Sequence, residues 1–286
     1  MRITQITASL ARTAFTAFAG ALLASQLPAM AAGAAAPDFS SGNGINVLGA
    51  AWLPGSERTV VVDIATPLIS PNAVNGGAHQ VVITLPAGYA DKPAKRYPVL
   101  YLLHGGNGGS ARTWTAGGGD AESVTKDFEL ITVMPDGGKV GWYTDWVDES
   151  AGAQKWETFH TKQLIAWVDA NLRTNPDKKG RAIAGLSMGG YGALHYAYRH
   201  PDLFSYVGSF SGAADLQERG TRLVIWQQSI ANGMPSAGAF GPTDGGNWDA
   251  HNPLKNAENA STRRNDASLT SDRMLPMAYS QVTTVT

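Results

Sequence analysis

Seven consecutive residues with no polar face, Tyr97-Pro98-Val99-Leu100-Tyr101-Leu102-Leu103, constrain the fold more than any other stretch of the chain. A strand with one face in water alternates apolar and polar side chains, whereas a strand covered on both faces reads as one apolar run. Phe128 to Met134 repeats the pattern and stops at Pro135-Asp136-Gly137-Gly138; Arg181 to Ala184 and Tyr206 to Phe210 are shorter strands in the same register of the chain. Helical stretches separate them. Trp156 to Leu172 spaces Phe159, Leu164, Ile165, Trp167 and Val168 at a helical period, and Met188 to Tyr198 is a helix rich in Ala and Gly. Strands and helices in alternation predict a mostly parallel, doubly wound α/β sheet. Upstream, Ile45 to Trp52, Arg58 to Ile64 and His79 to Leu85 are punctuated by Gly and Pro and predict antiparallel strands at the start. One domain over residues 37–258, with no internal repeat, accounts for the pattern.

Composition narrows the function classes. Hydrophobic residues make up 43% and charged residues 16%, enough to bury a sizeable core and too apolar for a disordered chain. A formal net charge of −1 gives no electrostatic reason to expect nucleic acid as partner. Zero cysteines exclude disulfide scaffolds, thiolate metal sites and cysteine nucleophiles. No H-E-x-x-H, P-loop or dinucleotide fingerprint occurs, so no metal and no nucleotide cofactor is expected. At the start, Arg2 and Arg12 precede an apolar stretch from Thr13 to Leu27 and a small-x-small site at Ala29-Met30-Ala31, the pattern of a cleaved export signal over residues 1–31. The stretch is shorter than the roughly 20 residues a spanning helix needs. A secreted protein with no integral membrane segment after cleavage is expected.

Gly185-Leu186-Ser187-Met188-Gly189 carries the chemistry. It fits G-x-S-x-G between a predicted strand and a predicted helix, the context in which a sharp turn presents a serine hydroxyl for attack. Glycines two before and two after the serine remove side chains that would collide in such a turn. Ser187 is then the candidate nucleophile at a helix N-terminus, whose dipole favours developing negative charge. A serine nucleophile needs two donors for the oxyanion. The Met188 N–H is the first, and the glycine-rich exit of the apolar strand, His104-Gly105-Gly106-Asn107, supplies the second through Gly106. His104, Asn107 and Trp142 are expected to line the substrate site.

With these residues in place the chain resembles the antigen 85 proteins, in the esterase D-like branch of the α/β-hydrolases. Trp142-Tyr143-Thr144-Asp145-Trp146, Lys155-Trp156-Glu157-Thr158-Phe159, the elbow at Ser187 and Ser209-Phe210-Ser211-Gly212 occur in that family's order. Phe240-Gly241-Pro242, Trp248-Asp249 and Asn252-Pro253 look like its next block. The resemblance runs from about Gly44 to about Glu258. It implies an α/β-hydrolase fold and a secreted serine acyl-transfer enzyme acting on a small ester or glycolipid. Ser187 falls on the family nucleophile, Gly106 and Met188 on its oxyanion amides, and Asp215 on an acidic substrate contact. One departure bears on substrate: antigen 85 has Asp-Gly-Leu-Arg where this chain has His104-Gly105-Gly106-Asn107, which favours hydrolysis of a simpler ester over mycolyl transfer. Acyl transfer to a sugar or glycerol hydroxyl, and an inactive binding homologue, are the alternatives.

The rest of the triad is missing from the pattern. This fold orders its triad serine, acid, histidine, and after Ser187 the only histidines are His195, His200 and His251. The first two belong to the helix after the elbow and read as structural, and His251 precedes the point where the resembled family has its acid. Residues 259–286 are rich in Ser and Thr with no glycine and no run suited to a buried strand. An atypical tail, as from a lost reading frame or a truncation near Glu258, is the expectation, leaving the sheet to end at Tyr206 to Phe210 with an exposed edge. Trp156 and Phe159 read as core packing, and Asp145 and Glu157 as groups that cap or pair locally.

Overall fold

Glycine and proline divide the strands where the sequence predicts, and seven of them join in one sheet. In the computed structural model, which describes residues 36–115 and 119–257, these are β1 (Asn46–Trp52), β2 (Thr59–Ala65), β3 (His79–Thr84), β4 (Val99–Leu103), β5 (Ile131–Pro135), β6 (Arg181–Leu186) and β7 (Tyr206–Phe210). Their order in the sheet is β1-β2-β3-β5-β4-β6-β7. The first three strands and the β3–β5 pair are antiparallel, while β5–β4, β4–β6 and β6–β7 are parallel. The expected antiparallel opening and doubly wound parallel half are both present. The described residues fall in one compact unit. The export signal at 1–31 and the tail at 259–286 lie outside the described residues.

The parallel strands are the apolar runs, and their burial explains their composition. β5 is buried at every position, and Val99, Tyr101 and Leu103 of β4 face the main core with Ile131, Val133 and Ile183. β5 begins later than the sequence suggests: Phe128 is 58% exposed and closes a turn through its N–H to the Thr125 carbonyl. At the other end of the sheet β7 is the edge among the described strands, with Tyr206 and Phe210 exposed.

The helices among the described residues include α1 (Ala121–Val124), α2 (residues 156–171), α3 (Met188–Arg199), α4 (Arg219–Ala231) and α5 (Asn247–Ala250). The predicted helix after Trp156 forms, but its second segment, Phe159–Leu164, is wound as a π-helix. The wider turn leaves His160 buried with both ring nitrogens engaged, on the Tyr196 hydroxyl and the Asp136 carbonyl at 2.9 Å each. Such bulges concentrate where a side chain must be aimed inside a helix. Trp156, Phe159, Trp167 and Val168 are fully buried core residues. α4 has no counterpart in the sequence reading, because Leu223, Val224 and Ile230 face outward and blur its periodicity.

Candidate active site

The parallel half of the sheet aims its strand ends at one place. β6 runs between β4 and β7 and ends at Leu186; α3 begins at Met188. Ser187 is the single residue between them, held at φ 54° and ψ −115°. A non-glycine residue with positive φ costs of order 1–3 kcal/mol and persists only where its surroundings force it. Here the Ser187 N–H donates to the Phe210 carbonyl at 2.8 Å and its own carbonyl accepts from the Tyr191 N–H at 3.0 Å. The flanking glycines are obligatory: a Cβ on Gly185 would collide with the Gly189 carbonyl, and one on Gly189 with the Leu103 carbonyl. Ser187 itself is exposed, while Met188 behind it is buried.

The loop after β4 crosses directly in front of this turn. A Cβ on Gly105 would lie 3.5 Å from the Ser187 Cβ, and one on Gly106 would lie 3.3 Å from the Met188 Sδ. The structure therefore brings Ser187, Met188 and Gly106 together. As the first residue of α3, Met188 has an N–H with no acceptor inside the helix.

The other expected site residues take different places. His104 is wholly buried, and its ring nitrogens serve the backbone: the Gly137 N–H donates to Nε2 at 2.8 Å, so Nδ1 carries the proton and donates to the Gly105 carbonyl at 2.6 Å. It shapes the loop and does not reach out toward a substrate, which corrects the expectation for its side chain. Trp142 is also buried, edge-on to Tyr191, and sits with Tyr143 in consecutive positive-φ positions (50° and 47°). Its ring packs the core; the Trp142 backbone N–H contacts the Met188 Sδ at 3.4 Å. Asn107 has φ 58°, its N–H donates to the Lys139 carbonyl at 3.0 Å, and its Oδ1 lies 3.5 Å from the Asn232 amide of the segment after α4. Asp215 is half-buried and accepts from the Gln217 N–H at 2.8 Å and the Asn252 amide at 2.7 Å, tying down the segment after α5. Asp145 caps α2, accepting from the Thr158 N–H at 2.9 Å and the Thr158 hydroxyl at 2.5 Å.

All six histidines are among the described residues, and none is hydrogen-bonded to Ser187. His79 is packed between Trp156 and Phe159 with neither nitrogen partnered, and burial lowers its pKa to about 4. Burial likewise takes His160 down to about 3 and His195 to about 4. His195 and His200 bond to Glu157 through Nε2, at 3.2 and 2.7 Å, and His251 bonds to the Asn247 carbonyl. The expected structural role of His195 and His200 is what these contacts describe.

Two residues to which the sequence assigned no role belong to the site's frame. The Tyr143 hydroxyl donates to the His104 carbonyl at 2.8 Å, with its ring pressed against Gly137 and Gly192. Gln228 of α4 brings a buried, unpartnered Oε1 to 3.3 Å from where a Gly106 Cβ would stand. No sequence signal marks Gln228, since its contact depends on how α4 folds back over the loop.

A strand–serine–helix turn facing a glycine-rich strand exit, on a mostly parallel sheet with antiparallel strands at one side, defines an α/β-hydrolase. The Esterase family model matches residues 73–273, and the chain belongs to that family. It is 37% identical over 190 residues to Esterase Rv1288 of Mycobacterium tuberculosis, covering 64% of this chain but 41% of that protein, so it spans about two fifths of that relative's length. To the diacylglycerol acyltransferase/mycolyltransferase Ag85B of Mycobacterium leprae it is 32% identical over 227 residues, 70% of this chain and 68% of that one. Among solved structures, Mycobacterium tuberculosis MPT51 (FbpC1) superposes with a TM-score of 0.55 at 28% identity over 69% of this chain and 68% of that one. FphF, a fluorophosphonate-binding serine hydrolase of Staphylococcus aureus, shares the fold at a TM-score of 0.57 and 19% identity, over 72% and 74% of the two chains.

Proposed function

We propose that this chain is an exported serine esterase that carries the acyl group of a small carboxylic ester on Ser187 and passes it to water. The observation that carries the reading is the strained Ser187 turn with the Gly105-Gly106 backbone laid across it. In the proposed step the Ser187 Oγ attacks the ester carbonyl, the Gly106 and Met188 N–H groups receive the oxyanion, and the alcohol leaves with a proton. Water then hydrolyses the acyl-enzyme by the reverse sequence. Each donor of such a pair is worth roughly 3 kcal/mol of transition-state stabilisation. The family and the relatives' names support ester chemistry; the signal-like start supports export.

The proton on Ser187 Oγ sets the expected rate. None of the six imidazoles among the described residues is hydrogen-bonded to it, so the proposed step invokes no histidine base from them. An oxyanion hole and binding alone retain roughly 10³–10⁴-fold catalysis over water in triad-deficient enzymes. Turnover is accordingly slow and confined to activated esters. A p-nitrophenyl ester assay tests this: wild type releases p-nitrophenol above background and Ser187→Ala does not, whereas equal rates in the two proteins would overturn the reading.

The same absence of a bonded imidazole favours a second reading, a binding homologue that keeps the elbow without its chemistry. It predicts that a fluorophosphonate probe leaves Ser187 unmodified. Transfer to a sugar or glycerol hydroxyl instead of water is the acceptor variant suggested by the Ag85B name, and product analysis with trehalose or glycerol present distinguishes it from hydrolysis.

A further inference from the structure

Three elements each turn one ligand atom toward a common point away from the elbow. Glu157 near the start of α2, His195 of α3 and His251 at the end of α5 have carboxylate and imidazole atoms that all lie within 4.8 Å of one another. Glu157 Oε2 is 3.2 Å from His195 Nε2 and 3.9 Å from His251 Nε2. The two imidazoles approach with centroids 5.2 Å apart and a tilt of 31°.

Proton positions make this cluster more than an ion-pair network. His251 Nδ1 stands 2.8 Å from the Asn247 carbonyl oxygen, which can only accept. Nδ1 therefore carries the proton, and the neutral ring presents the Nε2 lone pair to the Glu157 carboxylate. That nitrogen and the Glu157 Oε2 stand 3.9 Å apart, two lone-pair atoms aimed at the same space. A cation between them would take both lone pairs. An imidazole whose far N–H is held by a backbone carbonyl is also how proteins fix the tautomer of a metal ligand. Arg199 and His200 occupy the other Glu157 oxygen, Oε1, at 2.8 and 2.7 Å, which leaves Oε2 for the common point.

We propose that Glu157 Oε2, His195 Nε2 and His251 Nε2 bind one divalent transition-metal ion, zinc by the donor set, and that the ion fastens the α5 segment to α2 and α3. Two imidazoles, a carboxylate and a water make a four-coordinate zinc site with bonds of about 2.0–2.2 Å. Side-chain adjustments of about an ångström bring the three atoms to the ligand separations that such bonds imply. His195 changes tautomer on binding: Nε2 releases the proton it shares with Oε2 and Nδ1, which has no partner, takes one up, so the ring stays neutral as the metal replaces that proton on Oε2. The ion's part is structural: His195 lies eight residues along α3 from Ser187, about 12 Å at the helical rise. The site therefore stands whether or not the esterase reading does. No spacing motif announces it, because the ligands are dispersed along the chain and meet only through packing.

Zinc binding to the metal-stripped full chain tests the proposal, by metal analysis after equilibrium dialysis and by thermal melting. One zinc per chain is expected, with Tm raised by about 5 °C or more when zinc exceeds its Kd a hundredfold. Cobalt(II) in its place should give the intense visible bands of a tetrahedral site. His251→Gln, at a partly exposed position, should abolish both effects while its circular dichroism spectrum stays native. His200→Gln should retain the zinc. Absence of stoichiometric zinc in the wild type, or unchanged binding in His251→Gln, would overturn the site.

Discussion

The Tyr143 hydroxyl holds the His104 carbonyl at 2.8 Å, so a fully buried phenol supports from behind the loop that faces Ser187. Removing the hydroxyl leaves that carbonyl without its donor in an apolar setting, at a cost of about 1–3 kcal/mol. Tyr143→Phe should lower Tm by several degrees and slow covalent modification of Ser187, because the Gly106 amide loses its fixed position. A melt together with a time course of fluorophosphonate labelling checks both. Unchanged labelling would separate the loop's support from the site's reactivity.

The geometry at Ser187 predicts an asymmetry between two substitutions. With φ at 54° and ψ at −115°, glycine is at ease where any side chain is strained. Ser187→Gly should raise Tm by about 2–4 °C, from a net gain of about 1 kcal/mol after the larger unfolded-state entropy of glycine. Ser187→Ala keeps the strain and should melt with the wild type. Both remove the hydroxyl, so differential scanning calorimetry on the pair isolates the backbone contribution.

Gly185 and Gly189 make the converse prediction. Either one changed to alanine forces a Cβ into backbone at the elbow, against the Gly189 or the Leu103 carbonyl. Neither partner is the free end of a side chain, so the sheet and α3 must separate. Losses above about 3 kcal/mol are expected, read as a reduced midpoint in denaturant, together with the loss of labelling at Ser187.

Acid stability follows from His79 and His160. Burial holds them in the neutral form, with pKa values of about 4 and about 3 against 6.5 for an ordinary histidine. A base with a depressed folded pKa binds its proton more readily in the unfolded chain, so its effect is absent above pH 6.5 and destabilises progressively as pH falls toward 4. For His79 alone the full loss is about 3 kcal/mol. Tm should therefore fall between pH 6.5 and 4, and His79→Leu should flatten that fall. A variant with the wild-type slope would show that His79 does not contribute.

The parallel strands and the elbow were legible because local rules govern them. β4 and β5 are apolar runs since both faces are covered, and the glycines around Ser187 are demanded by backbone contact alone. Side-chain direction was less legible. His104 stands beside the oxyanion loop in sequence, yet its ring turns inward to the Gly137 N–H and the Gly105 carbonyl, and only the approach of β5's following turn decides that. Trp142 had the residue type of a substrate rim but is drawn into the core against Tyr191. The roles of Tyr143, Gln228 and the Glu157–His195–His251 cluster depend on contacts between residues distant in the chain, so neither periodicity nor the motifs that hold Tyr143 and Glu157 disclose them.

Intact-mass analysis after fluorophosphonate treatment tests the central claim most directly, since it asks whether the exposed hydroxyl at the elbow is a nucleophile set before oxyanion donors. The account predicts one adduct per chain, mapped by peptide fragmentation to Ser187 and absent from Ser187→Ala. An unmodified wild-type protein, or an adduct that persists at equal yield in Ser187→Ala, would contradict it.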